Sequence, residues 1–207
     1  MKRFFTILAA LACTLSAFAQ TPEDIISNME DVFTEHDNGG LFMVVDVKIP
    51  ILGTMSSKVW NFGDKTCVEG SMMDVKIISW SDKTTDWTYD SKNNTITIKN
   101  ADPTKIKNNE GDAEMFDGIT DGYDVTIKSE TDKEWHLVCK KSRNNPDNDA
   151  PKTMDLVVAK DTYWPISLST KMKGITMTMR DISFDVTEAD VTFDQSKFPG
   201  ATIEDKR

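Results

Sequence analysis

Histidine occurs twice and cysteine three times in 207 residues. That scarcity removes most metal and nucleophile chemistry from consideration. His36 and His136 each stand alone, outside any HExxH pair, and Cys13, Cys67 and Cys139 have no zinc-type spacing. There is no G-x-S-x-G elbow, no phosphate-cradling glycine loop and no nucleotide fingerprint. Basic residues are outnumbered, 24 against 34 acidic, for a formal charge of −10. Such a chain is repelled by nucleic acid and by anionic membrane surfaces, so neither is expected as a partner. Carboxylates cluster at Glu110, Asp112, Glu114, Asp117, Asp121 and Asp124, but their spacing does not fit a calcium loop, and a solvated loop is expected. No catalytic residue, metal or cofactor is expected.

Long apolar runs are also scarce. The one at the start is short: Lys2 and Arg3, then Phe4 to Ala12, then an A-x-A site at Ala17-Phe18-Ala19. This is the layout of a cleaved secretory leader, with Gln20 beginning the mature chain and residues 20–207 forming one domain. Lipid attachment at Cys13 is the rival interpretation, and Ala10 fits its recognition box poorly. A leader implies an oxidising compartment, periplasmic in a two-membrane cell. Cys67 and Cys139 could therefore pair, although two small buried thiols are the simpler expectation.

What the sequence does have is alternation. After one amphipathic helix, capped at Thr21-Pro22 and striped by Ile25, Ile26, Met29, Val32 and Phe33, apolar residues recur at every second position. Leu41, Met43, Val45 and Val47 share a face. So do Tyr123, Val125 and Ile127, and then Trp164, Ile166, Leu168 and Met172. Ile175, Met177 and Met179 change parity against Ile182, Phe184 and Val186, which predicts a bulge near Arg180-Asp181. Turn signals at 63–65, 92–94, 131–133 and 173–174 separate the strands. The pattern predicts an antiparallel meander of about ten strands with one apolar face, one short helix near Ala113 to Phe116, and an exposed loop over residues 142–151. One helix cannot cover so large a face, so the sheet either closes or leaves a trough to be occupied. The 11 methionines, with Met43, Met172, Met177 and Met179 on apolar parities, suit a surface that accepts varied apolar guests.

The hairpin SDKTTDWTYDSKNNTITI (81–98) places Trp87, Tyr89, Ile96 and Ile98 on alternating positions around a turn. Its first ten residues resemble the "DGKTLWxYDP" hairpin of LolA-like outer-membrane lipoprotein carriers. Leu156-Val157-Val158 to Trp164-Pro165-Ile166, Ile175 to Phe184, and Phe193-Asp194 to Phe198-Pro199-Gly200-Ala201 follow that family's order, the last resembling its closing "FxFxxPxGxxV" segment. The resemblance implies a mainly β fold: an incomplete antiparallel β-barrel, strongly curved, with helices over its concave apolar face. It implies a monomeric, non-enzymatic chaperone that takes acylated lipoproteins or other lipid cargo from an inner-membrane ABC transporter to an outer-membrane acceptor. The expected cavity lining is Ile25, Met29, Phe33, Leu41, Met43, Val45, Trp87, Tyr89, Ile96, Ile98, Met177 and Met179. The chain departs from the family in one respect: residues 53–62 lack the early-strand arginine that helps hold the helical lid. An envelope-stress sensor of related fold, binding a lipid or a protein without transport, is the alternative.

Overall fold

The computed structural model describes residues 20–36, 39–72, 74–102 and 120–207. The leader, the helix expected near Ala113 to Phe116 and the acids Glu110 to Asp117 lie outside the described residues.

Helix α1 spans Pro22–Glu35. Thr21 caps it reciprocally: Asp24 N–H donates to Thr21 Oγ1 at 3.1 Å and Thr21 N–H to Asp24 Oδ2 at 3.2 Å, satisfying amide groups that no helical carbonyl can reach. Its buried stripe is Ile25, Ile26, Met29 and Phe33. Strands follow at β1 Gly40–Ile49, β2 Gly53–Phe62, β3 Lys65–Met72, β4 Val75–Ser81, β5 Thr85–Asp90 and β6 Thr95–Asn100. Then come β7 Tyr123–Glu130, β8 Glu134–Lys141, β9 Thr153–Ala159, β10 Pro165–Met172 and β11 Ile175–Val186. A one-turn helix α2 (Glu188–Val191), a 3-10 turn (Gln195–Lys197) and β12 (Thr202–Asp205) end the chain.

All twelve strands form one curved sheet, not closed into a barrel, in the order β12-β6-β5-β4-β3-β2-β1-β11-β10-β9-β8-β7. Two meanders, β1–β6 and β7–β11, are zipped together by the β1–β11 pair. Each hairpin connection forces antiparallel pairing. The exception is β12, which returns over the sheet and pairs parallel with β6. The bulge expected at Arg180-Asp181 is present: Val44 faces Arg180 while Phe42 faces Ser183, one residue too many on β11, and Asp181 has φ +54°. A second bulge corrects the sequence assignment of β10. Pro165 pairs with Val158 but Ser167 with Val157, so Ile166 is the extra residue and turns outward, 39% exposed, while Leu168 is buried.

Candidate lipid-binding face and the buried reverse face

Register decides which side chains can meet, because direct cross-strand partners point to the same side of a sheet. On β1, Leu41, Met43 and Val45 point toward α1. Across β11, β10, β9 and β8 that side continues through Met179, Leu168, Leu156 and Leu137. Here α1 lies directly on the sheet. Ile25 (0% exposed), Met29 (1%) and Leu41 (0%) share one buried cluster with Phe33, Met43, Leu137, Leu156, Leu168 and Phe184. The helix is pinned at its end by aromatic contacts: Phe33 meets Phe184 edge-on at 5.3 Å, and His36 meets Trp164 edge-on at 5.3 Å. Trp164 Nε1–H in turn donates to the Ile182 carbonyl at 2.8 Å. At its start, the Gln20 amide hydrogen-bonds the Tyr163 hydroxyl.

The other parity of β1 belongs to a different core. Phe42 pairs with Trp60, Trp60 with Cys67, Cys67 with Trp80, Trp80 with Trp87 and Trp87 with Ile98. One register step along, Ile78, Tyr89 and Ile96 make a second row on the same side. The C-terminal segment covers these rows. Phe193 stacks on Trp87 at 5.5 Å and meets Trp80 at 5.3 Å, while Phe198 lies 4.5 Å from Tyr89. Val191 of α2 is 2% exposed in the same cluster. Asn94 fastens the cover, donating from Nδ2 to the Gly200 carbonyl at 3.0 Å.

The expected lining is therefore split. Ile25, Met29, Phe33, Leu41, Met43, Val45, Met177 and Met179 lie on the α1 side. Trp87, Tyr89, Ile96 and Ile98 lie on the reverse side, under the chain's own C-terminus. The expectation of a single apolar face is corrected accordingly. On β3–β5 the α1 side is largely polar instead: Thr66, Ser79, Ser81, Asp86 and Thr88, with Val68 among them, line a groove of about 350 Å³. The expected lining leaves out Leu137, Leu156 and Leu168 on the first side, although Leu168 stands on an apolar parity, and Trp60, Trp80, Phe193 and Phe198 on the second. The signal was there: Phe42, Val44, Trp60 and Phe62 alternate as regularly as Leu41, Met43 and Val45, on the opposite parity.

Beyond α1 the first face stays apolar but loses its cover. Val47 pairs with Met177 on one side and Met55 on the other. Val45, Val47, Met177 and Met179 are half-buried and Met55 is 40% exposed. A cleft of about 390 Å³ also opens along the flank of α1, between Ile26 and Glu30 and the β7 residues Tyr123 and Val125.

Cys67 and Cys139 are both free and buried, one in each core, so the pairing left open by the sequence is not made. Burial pushes both thiols up to about 11. Among the described residues no group of three or more His, Cys, Asp and Glu is placed to hold a metal ion. No helix among them is long and apolar enough to cross a membrane.

No protein-family model matches the chain, and no curated protein matches it in sequence. Solved structures do. LprF from Mycobacterium bovis is 10% identical, with 83% of this chain and 96% of that one covered and a TM-score of 0.50. The lipoprotein LppX of Mycobacterium tuberculosis is 9% identical (81% and 98% covered, TM-score 0.48). A LolA superfamily protein from Nitrosomonas europaea is 11% identical (85% and 99% covered, TM-score 0.32). At such identities the likeness is one of architecture alone: with its open, curved sheet and a helix laid on one face, the chain has a fold like that of LprF.

Proposed function

We propose that this protein is a periplasmic carrier, without catalytic activity, that shields the acyl chains of a lipoprotein or another acyl lipid against the α1 face. The observation that supports this is the methionine-rich strip of Val45, Val47, Met55, Met177 and Met179. It continues the buried face beneath α1 out to a half-open surface, where flexible thioethers can mould to a hydrocarbon chain.

In the described conformation the buried stripe of α1 packs directly on the sheet, so cargo that is to reach the surface beneath it has to displace the helix. The energies are matched. Exposing the four-residue stripe of α1 costs about 6–12 kcal/mol, at roughly 1.5–3 kcal/mol per large apolar side chain. Burying one acyl chain of roughly sixteen carbons returns on the order of 12 kcal/mol, at about 0.8 kcal/mol per CH₂. Near-balance of this kind is what handover from an inner-membrane transporter to an outer-membrane acceptor requires, since a carrier that gained much more would never release its load. With no family arginine in residues 53–62, closure of α1 rests on its apolar stripe and the His36–Trp164 contact.

The test is mass spectrometry of organic extracts from protein isolated from the cell envelope, together with affinity capture. Acyl lipids or acylated lipoproteins are the expected bound species. An extract free of them, with capture instead of a membrane-bound signalling protein, would replace the carrier by the sensor alternative.

A further inference from the structure

We infer that the paired tips of the β1–β2 and β10–β11 hairpins form a docking surface for an anionic lipid bilayer. The two tips are neighbours, because Lys48 of β1 pairs with Thr176 of β11. A Cβ added to Gly174 would lie 4.0 Å from Pro50 Cγ. Together they carry five of the chain's exposed large apolar side chains: Ile51 (106% exposed), Leu52 (77%), Met55 (40%), Met172 (40%) and Ile175 (41%). Ile51 and Leu52, at the β1–β2 turn, are the most exposed of them and are available to enter a headgroup layer.

Charge distribution identifies the occupant. The chain has 34 acidic residues, yet none falls in residues 47–63 or 162–180, whose turn-proximal ends hold Lys48, Lys171 and Lys173. The acids that bound these arms at the sheet centre, Asp46 and Asp181, are both ion-paired to Arg180. Asp46 is four residues from Pro50, about 13 Å at roughly 3.3 Å per strand residue, which exceeds the screening length of about 8 Å at physiological salt. The flanking connections add one acid, Asp74 of the β3–β4 turn, and a balanced set between β8 and β9: Arg143 and Lys152 against Asp147 and Asp149. Net charge argues against an anionic surface for the molecule as a whole, but the tip is locally basic, and exposed apolar groups ringed by lysines suit the lipid interface.

Backbone conformation supplies an independent sign. Ile51 follows Pro50 with φ +75°, the turn position that glycine or asparagine normally fills. A β-branched residue there is sterically unfavourable. An apolar side chain is thus held outward where a better-fitting residue would present none, the kind of local cost that marks a functional position.

The inference does not depend on cargo binding by the α1 face. Its test is flotation of the protein with vesicles of phosphatidylglycerol and phosphatidylethanolamine, against vesicles of phosphatidylcholine alone. Wild type is expected to float with the anionic vesicles, with binding falling severalfold between 50 and 500 mM salt. I51G and L52S should each weaken binding about tenfold, and I51G should raise the melting temperature because it relieves the turn. K171S/K173S should remove the preference for anionic lipid. Failure of wild type to float overturns the inference. So does I51G/L52S floating like wild type, or a tip-dependent dimer in sedimentation velocity that accounts for the exposed side chains. Binding of a soluble fatty-acid probe, measured in parallel, reports on the α1 face alone.

Discussion

Leu41 and Phe42 are consecutive residues in different cores. Leu41 is wholly buried beneath α1, whereas Phe42 points through the other side of the sheet and packs on Trp60 with ring centroids 5.2 Å apart. Strand β1 is where the sheet changes its buried side: β7–β11 bury the face under α1, β3–β6 the face under the C-terminal segment. The two faces are thereby covered by different parts of the chain, α1 on one side and the C-terminal segment on the other. The reverse core is filled by the chain's own Phe193 and Phe198, while the α1 face ends in an uncovered methionine strip.

Removal of the reverse core should therefore act on stability alone. Trp80→Ala is expected to cost about 3–5 kcal/mol in urea unfolding, and Phe193→Ala somewhat less, because its ring is only part-buried. Neither should weaken binding of an acyl probe under conditions where the variant is folded.

Gly40 sits where β1 enters between β2 and β11. A Cβ there would meet the Asn61 carbonyl oxygen at 2.2 Å and Val186 Cβ at 2.9 Å, backbone and branched groups that cannot swing away. Gly40→Ala should destabilise by about 2–3 kcal/mol, measurable as a lowered urea midpoint at unchanged slope.

Cys67 and Cys139 should resist alkylation in the native protein. With both thiols raised from 9.0 to about 11 by burial, the thiolate fraction at pH 8 is about a hundredfold below that of a free cysteine. Iodoacetamide should modify neither until urea unfolds the chain, and then both. Rapid native modification of either would show that its core opens.

Acid should loosen the β1–β11 seam. The hydrogen bond from Arg180 Nε at 2.7 Å, with a second from Ser56, holds the Asp46 carboxyl below its usual value. A depressed native pKa stabilises the fold above the unfolded value near 3.9 and loses that contribution as pH falls through the native one. Asp46→Asn should flatten the slope of stability against pH below about pH 4, leaving only a small loss at pH 7, because Arg180 is 41% exposed. An unchanged slope would show that the pair carries no linkage.

Much of this was legible in the sequence. The Thr21-Pro22 start of α1, its stripe, the hairpin turns and the Asp181 bulge follow from local rules that tertiary structure did not override. Three things were not. Ile166 obeys the alternation of β10 only until a bulge, invisible in residue types, turns it outward. The pairing of β12 with β6 is a long-range return that no local signal encodes. The division of the lining is not visible within any single strand, because alternation fixes two faces for each strand but not which faces of different strands coincide. Leu41 and Trp87 each lie on an apolar parity, and only the register through Trp60, Cys67 and Trp80 shows that these are different faces.

The most direct measurement is titration of a fluorescent fatty acid into three folded proteins: wild type, M177S/M179S and W87A. Saturable binding is expected for wild type and W87A, with a loss of at least tenfold in M177S/M179S, whose half-buried side chains can change without unfolding the sheet. Retained binding in M177S/M179S together with loss in W87A would place the hydrocarbon on the reverse face and contradict the account.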